Sequence, residues 1–216
     1  MLLEKKERIR SGNAKSHFKK ASAFMVRMSM WPPGQELKKI EGKETKELKI
    51  KRLNTTLDQD YRNILVEEFS ENYKKVENLS EPENIVQVMN EVFHLSERAE
   101  EYMYLICMTS GCRPIGFFEL AHGTHNAALV GVREIFIRAL LCGAAGIVLV
   151  HNHPGGLPNP SREDVSVTDK VRAASEFIGI QLYDHIIVGR DSWFSFAKEG
   201  KLAVVLPEIS DYNDNR

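Results

Sequence analysis

No run of 18 or more apolar residues occurs in the chain, which leaves no segment able to cross a bilayer as a helix. Cysteine is scarce: Cys107, Cys112 and Cys142 make an odd count and show no metal-type spacing, which excludes a disulfide framework or a cysteine zinc finger. Cys107 and Cys142 lie in apolar surroundings and read as small core residues, so a reduced, cytoplasmic setting is expected. The start, Met1-Leu-Leu-Glu-Lys-Lys-Glu-Arg, is too charged for a secretory signal. There is no phosphate-binding glycine loop, no Gly-x-Ser-x-Gly elbow and no internal repeat.

What is present fits one main domain: 216 residues, 43% of them apolar, can bury one proper core. The net charge of -1 hides an asymmetry, because residues 1–53 hold 15 Lys and Arg against 6 Glu and no Asp. A basic arm on an acidic body suits contact with nucleic acid or another polyanion, and equally suits a solvated leader. Residues 1–53 lack sustained periodicity and break at Trp31-Pro-Pro-Gly34, with short helices expected near 4–10 and 15–30. Residues 54–80 are polar apart from Asn63-Ile-Leu-Val66, which reads as a strand or as a surface segment. The organisation expected is a basic, partly disordered extension over 1–79, a folded body over 80–206 and an acidic tail over 207–216.

Ser80-Glu81-Pro82-Glu83 starts a helix whose apolar face is Ile85, Val86, Val88, Met89, Val92 and Phe93. Tyr102–Met108 and Ile115–Leu120 flank the turn residues Ser110-Gly-Cys-Arg-Pro114 as a hairpin. A buried-face helix follows over 132–142, then an apolar strand at Gly146-Ile-Val-Leu-Val150. Another helix from Ser161 stops near Gly179, and a strand covers Ile180–Val188. The result is an α/β domain with a mixed sheet flanked by helices.

Chemistry concentrates in His151-Asn-His153-Pro-Gly-Gly-Leu-Pro-Asn-Pro-Ser161-Arg-Glu-Asp164. Side chains at i and i+2 of a strand leave one face, so two imidazoles emerge together where the strand ends. Two nitrogens and one carboxylate oxygen complete three corners of a tetrahedral zinc site and leave the fourth for water. From the pair alone, a metal site and a satisfied core pair stand level. Ser161-Arg-Glu-Asp164 also fits a capping box. Capping by Ser161 holds either way; ligation by Asp164 follows if the histidines are ligands.

A hydrolytic site needs a proton acceptor beside the metal water. Glu119, inside the apolar run Gly116-Phe-Phe-Glu-Leu120, is the first candidate, since a carboxylate there is costly unless used or paired. The plainer reading puts it on a solvent-facing edge. Glu134 competes, but the helix dipole accounts for its first-turn position. His122 and His125 read as ordinary loop residues, and Asp184-His185 as structural or as a second layer behind the site.

Other His-x-His families fit the context less well. An eight-fold barrel needs more chain, a metallo-β-lactamase continues with Asp-His, and a cupin is nearly all strand. His151-x-His153, seven residues, then Ser161-x-x-Asp164, resembles the JAMM motif of the JAB/MPN metalloproteases. Phe118-Glu-Leu-Ala-His-Gly-Thr124, Arg133-Glu-Ile-Phe136, Pro160-Ser-Arg-Glu-Asp164 and Asp184-His-Ile-Ile-Val-Gly189 are similar to the RadC-like branch. The resemblance covers about residues 83–200.

That resemblance implies a JAB fold akin to the cytidine-deaminase sandwich. It implies zinc on His151, His153 and Asp164, with Glu119 as acid/base and Ser161 holding the water or oxyanion. The expected activity is a peptidase or isopeptidase acting on an unidentified peptide or protein. The alternative is a DNA-associated accessory protein of DNA-repair type, gripping nucleic acid through residues 1–53. Gly155 stands where the family commonly has Ser, and the helical N-terminal domain of full-length relatives is not recognisable in residues 1–80.

Overall fold

Side chains that alternate between two buried faces along the central strands divide the core in two. The computed structural model describes residues 47–123 and 130–202. Seven strands form one mixed sheet: β1 (Leu48–Leu57), β2 (Asn63–Tyr73), β3 (Glu101–Met108), β4 (Pro114–Gly123), β5 (Gly146–Asn152), β6 (Gln181–Val188) and β7 (Trp193–Ser195). Their spatial order is β2-β1-β4-β3-β5-β6-β7. Among the described residues three helices cover it: α1 (Pro82–Phe93), α2 (Val132–Cys142) and α3 (Arg162–Ile178). This is the α/β class expected from the sequence.

On β3, Tyr104, Ile106 and Met108 join the apolar face of α1 in one core. Met103, Leu105 and Cys107 join α2 and α3 in the other. β5 divides the same way, Val148 and Val150 against Ile147 and Leu149, and all seven of its residues are buried. A strand covered on both faces is expected to read as a continuous apolar run, as this one does up to its histidine. β5 pairs antiparallel with β3 and parallel with β6, and α3 fills the β5–β6 crossover.

The helix ends follow local chemistry. Pro82 opens α1 where a missing N–H costs nothing, with Glu81 as the cap residue. Ser80, expected as the cap, instead turns its hydroxyl to Asn78 Oδ1 (2.6 Å). Gly179 closes α3 at φ 76°, a left-handed conformation that suits glycine.

One expectation needs correction. The folded body was expected to begin at Ser80, yet β1 and β2 extend the sheet upstream of it. Leu48, Ile50 and Leu53 of β1 enter the two cores. β2 is an edge strand that begins at the Asn63-Ile-Leu-Val66 run, a strand in one of its two readings, and it buries only Tyr73, so its polar course beyond Val66 leaves no mark in the sequence. An antiparallel backbone ladder with β1 holds it, accompanied by the ion pairs Lys51–Glu67 at 2.8 Å and Arg52–Glu68 at 3.0 Å. Residues 1–46 of the basic arm, the helices expected near 4–10 and 15–30, His125 and the acidic tail lie outside the described residues. Among those described, no helix is long and apolar enough to cross a membrane.

Candidate metal centre

His151 continues the column of Ile147 and Leu149 along β5, so its ring faces α3 rather than α1. It is fully buried. Asn152 points to the other face and ties β5 to the start of β3, accepting the Tyr102 N–H (2.8 Å) and donating to the Glu100 carbonyl (3.0 Å). His153 leaves the strand on the same side as His151. Its Nδ1 lies 3.0 Å from the Leu157 carbonyl, an oxygen that can only accept, so Nδ1 carries the proton and Nε2 the lone pair.

The 154–160 segment then returns the chain to α3. Ser161 caps that helix in a complete capping box: its Oγ accepts the Asp164 N–H (3.1 Å), and its N–H donates to Asp164 Oδ2 (2.7 Å). The Ser161 hydroxyl donates to the same Oδ2 (2.7 Å). The cap therefore engages one carboxylate oxygen and presents the other. Asp164 Oδ1 lies 3.1 Å from His151 Nε2 and is buried with no hydrogen-bond partner. The two Nε2 atoms are 3.1 Å apart, and His153 Nε2 is 3.5 Å from Asp164 Oδ2.

Acceptors this close repel unless a cation or a proton lies among them. Protonation shows in the acid–base behaviour. The Asp164 hydrogen bond holds the His153 pKa above its usual value, against burial. Burial works to raise the Asp164 pKa, but the neighbouring His151 and His153 rings and the Ser161 hydroxyl outweigh it and hold the carboxyl far below the ordinary range. A divalent cation would satisfy all three groups at once. Two imidazole nitrogens and a carboxylate oxygen are donors that zinc accepts, so the residues present fit that metal.

The fourth member of the cluster is not the expected one. A carboxylate oxygen of Glu101 lies with those of His151, His153 and Asp164 in a set whose atoms are all within 4.8 Å of one another. Met103 sits opposite His151 in the antiparallel β3–β5 pair, so Glu101, two residues earlier, falls on the same face beside His153. Glu119, expected beside the metal water, stands on the other face of the sheet. It pairs across from Tyr104, whose own neighbour is Val150 rather than His151. Its carboxylate meets Arg52 (2.9 Å), His122 Nδ1 (2.8 Å) and the Tyr104 hydroxyl (3.3 Å). The costly carboxylate is thus paired rather than used. Glu134 is half-exposed at the first turn of α2, beside Arg133.

Asp184 and His185 divide their roles by strand alternation. Asp184 accepts from Ser195 Oγ (2.5 Å) and the Ala197 N–H (2.9 Å), pinning the turn after β7. His185 faces the centre, with its Nε2 2.9 Å from His151 Nδ1. Burial and the neighbouring His151 push its pKa well below the usual value, so its ring is neutral. A cleft of about 440 Å³ opens on the cluster, lined by Glu101, His153, Leu157, Ser161, Glu163 and Asp164 among others.

A family model, the RadC-like JAB domain, matches residues 79–201. A UPF0758 protein of Thermotoga maritima is 40% identical over 102 residues, 47% of this chain and 46% of that protein. UPF0758 proteins of Geotalea uraniireducens and Pelobacter propionicus are 33% and 36% identical over 130 and 131 residues. These matches take in 60% of this chain and 56% and 57% of the two relatives. The chain spans about half the length of the relatives it matches.

Proposed function

The chain belongs to the RadC-like JAB-domain family, and from that premise we propose that it is a zinc-dependent hydrolase of the JAMM type, cleaving a peptide or isopeptide amide. The observation that carries the proposal is the buried Asp164 Oδ1, which lacks a hydrogen-bond partner and lies 3.1 Å from His151 Nε2, with His153 Nε2 3.5 Å from the other carboxylate oxygen, in the wall of an open cleft.

His151, His153 and Asp164 are the ligands in this reading. Zinc, when bound, supplies Lewis acidity and a water acidified to a pKa of about 7. Glu101, within 4.8 Å of the ligand atoms, takes the acid/base role that the sequence had suggested for Glu119. Its carboxylate accepts a proton from the attacking water and returns it to the leaving amine. Such a group contributes about 10²–10⁴-fold to rate. Ser161 fixes Asp164 through the capping box, its hydroxyl donating to Asp164 Oδ2, and it lines the cleft. Pro154, Gly155 and the exposed Leu157 form an apolar rim over which an extended peptide can lie. Three free thiols accord with a reducing, cytoplasmic setting.

The test combines metal analysis with a mixture of peptide and isopeptide-linked substrates read by mass spectrometry. About one zinc per chain is expected, with metal and turnover both lost in His151→Ala. Glu101→Gln should keep the metal and lose turnover by the factor above. Protein purified without chelators that holds no stoichiometric metal would end the proposal.

A further inference from the structure

Behind the ligands lies a chain of buried hydrogen bonds with a fixed direction. The Thr168 hydroxyl has one proton and two neighbours: the Asp164 carbonyl at 2.5 Å and His185 Nδ1 at 2.6 Å. A carbonyl only accepts, so the proton goes there and Thr168 Oγ1 must accept from His185. His185 therefore carries its proton on Nδ1. Its ring is fully buried and stacked on Phe196, with centroids 5.1 Å apart, surroundings that keep imidazole uncharged. A neutral ring has a single N–H, so Nε2 is an acceptor. His151 Nδ1, 2.9 Å away, has to donate to it. What remains on His151 is an Nε2 lone pair aimed at Asp164 and His153.

We infer that Thr168 and His185 act as positioning residues that lock His151 into its metal-binding tautomer. The inference rests on the metal reading given above. Without the lock, the metal-free protein has an easier arrangement. His151 could carry its proton on Nε2 and donate to the Asp164 oxygen that otherwise lacks a partner, and the ligand nitrogen would be capped. The Thr168 hydroxyl forbids this from two hydrogen bonds away. The fold supplies the geometry in two places. Thr168 follows Asp164 by one turn of α3, so one helix sets both the carboxylate and the relay. A register shift in the β5–β6 pair at Ile147/Val148 then brings His185 opposite Leu149, on the face that His151 shares. A group that orients a metal-binding histidine typically changes metal affinity by about 10–100-fold.

The test uses the full chain and two readouts. Zinc affinity is measured by competition with a chromophoric chelator, and ring tautomers by nitrogen NMR of isotope-labelled histidine in the metal-free protein. In the wild type, His151 should carry its proton on Nδ1. Thr168→Val, nearly isosteric, should move that proton to Nε2 and weaken zinc binding by about 10–100-fold. Thr168→Ser should restore both properties. His185→Leu should weaken zinc binding similarly, whereas His185→Gln, which places an acceptor oxygen near the original Nε2, should retain most of it. If His185→Leu does not fold, Thr168→Val decides. A folded Thr168→Val protein that keeps the proton on Nδ1, or binds zinc as tightly as wild type, overturns the relay. A wild type that binds no zinc would overturn the metal reading instead, and the tautomer measurement would judge the relay by itself.

Discussion

Replacing Asp164 by Asn separates its two tasks. Asp164 Oδ2 accepts two charge-assisted bonds from Ser161, each 2.7 Å long. Hydrogen bonds to a charged acceptor contribute about 1.5–3 kcal/mol and neutral ones about 0.5–1.5, so the loss of charge costs roughly 2 kcal/mol at the cap. The change at Oδ1 has the opposite sign. That oxygen is buried without a partner, at a penalty of about 1–3 kcal/mol. An amide nitrogen in its place donates to His151 Nε2 and removes the penalty. In metal-free protein at alkaline pH the two effects nearly cancel, and Asp164→Asn should stay within about 1 kcal/mol of wild type, or about 2–4 °C in Tm. Asp164→Ala loses both cap bonds outright, about 3–6 kcal/mol, regains only about 1–3 by removing Oδ1, and should fall by about 2–3 kcal/mol. Zinc reverses the ranking. At a hundredfold excess over Kd it stabilises wild type by about 2.7 kcal/mol, and it should leave Asp164→Asn almost unchanged. Thermal unfolding in chelator and in zinc reads both effects. If Asp164→Asn without metal is as unstable as Asp164→Ala, Oδ1 is not held against acceptors. If it keeps the zinc shift, Asp164 is not a ligand.

The same cluster predicts opposite pH trends with and without metal. The raised His153 pKa means that its pair with Asp164 stabilises metal-free protein fully below about pH 6.5, and that this stability is lost as pH rises through the folded value. The depressed Asp164 pKa adds stability above about pH 3.9 that is lost in stronger acid. Zinc affinity should instead climb with pH as the His153 proton leaves; paired unfolding and zinc titrations at pH 5.5 and 8.5 check this, and the metal-free trend should vanish in Asp164→Asn. Glu119→Gln should leave zinc affinity unchanged and cost no more than about 1 kcal/mol, because its Arg52 partner is about one-third exposed. Gly189→Ala should destabilise by about 1–3 kcal/mol and weaken zinc binding. A Cβ there would overlap the Gly156 carbonyl and lie 3.1 Å from Pro158, displacing the segment that holds His153 through Leu157. Equal zinc affinity in a folded Gly189→Ala protein would show that the segment does not position His153.

The difference between Glu101 and Glu119 shows which features of this site are legible in the sequence. His151, His153, Ser161 and Asp164 lie within 14 consecutive positions, and local rules relate them: strand alternation for the first pair, a capping box for the second. Their assembly needs only the short segment between β5 and α3. The acid/base position depends instead on the register between β3 and β5, a relation across 50 residues that no local pattern fixes. Glu119 interrupts an apolar strand, where a carboxylate is either used or paired, and here it is paired. Its partner Arg52 lies on β1, whose few buried apolar residues, Leu48, Ile50 and Leu53, sit among lysines and an arginine at the end of a basic stretch and do not stand out as a strand. Glu101 gave no such signal, since a glutamate at the mouth of a strand is unremarkable until the opposing strand is known. The discriminating observation is the parity of the register: with Met103 opposite His151, odd-numbered positions at the start of β3 face the histidines, and Glu101 is the carboxylate on that parity. The β3–β4 pair carries a register shift at Met103/Tyr104, and beyond it Glu119 lies opposite Tyr104, on the other face. One irregularity in a ladder thus decides which glutamate can reach the centre, and it leaves no mark in a single sequence.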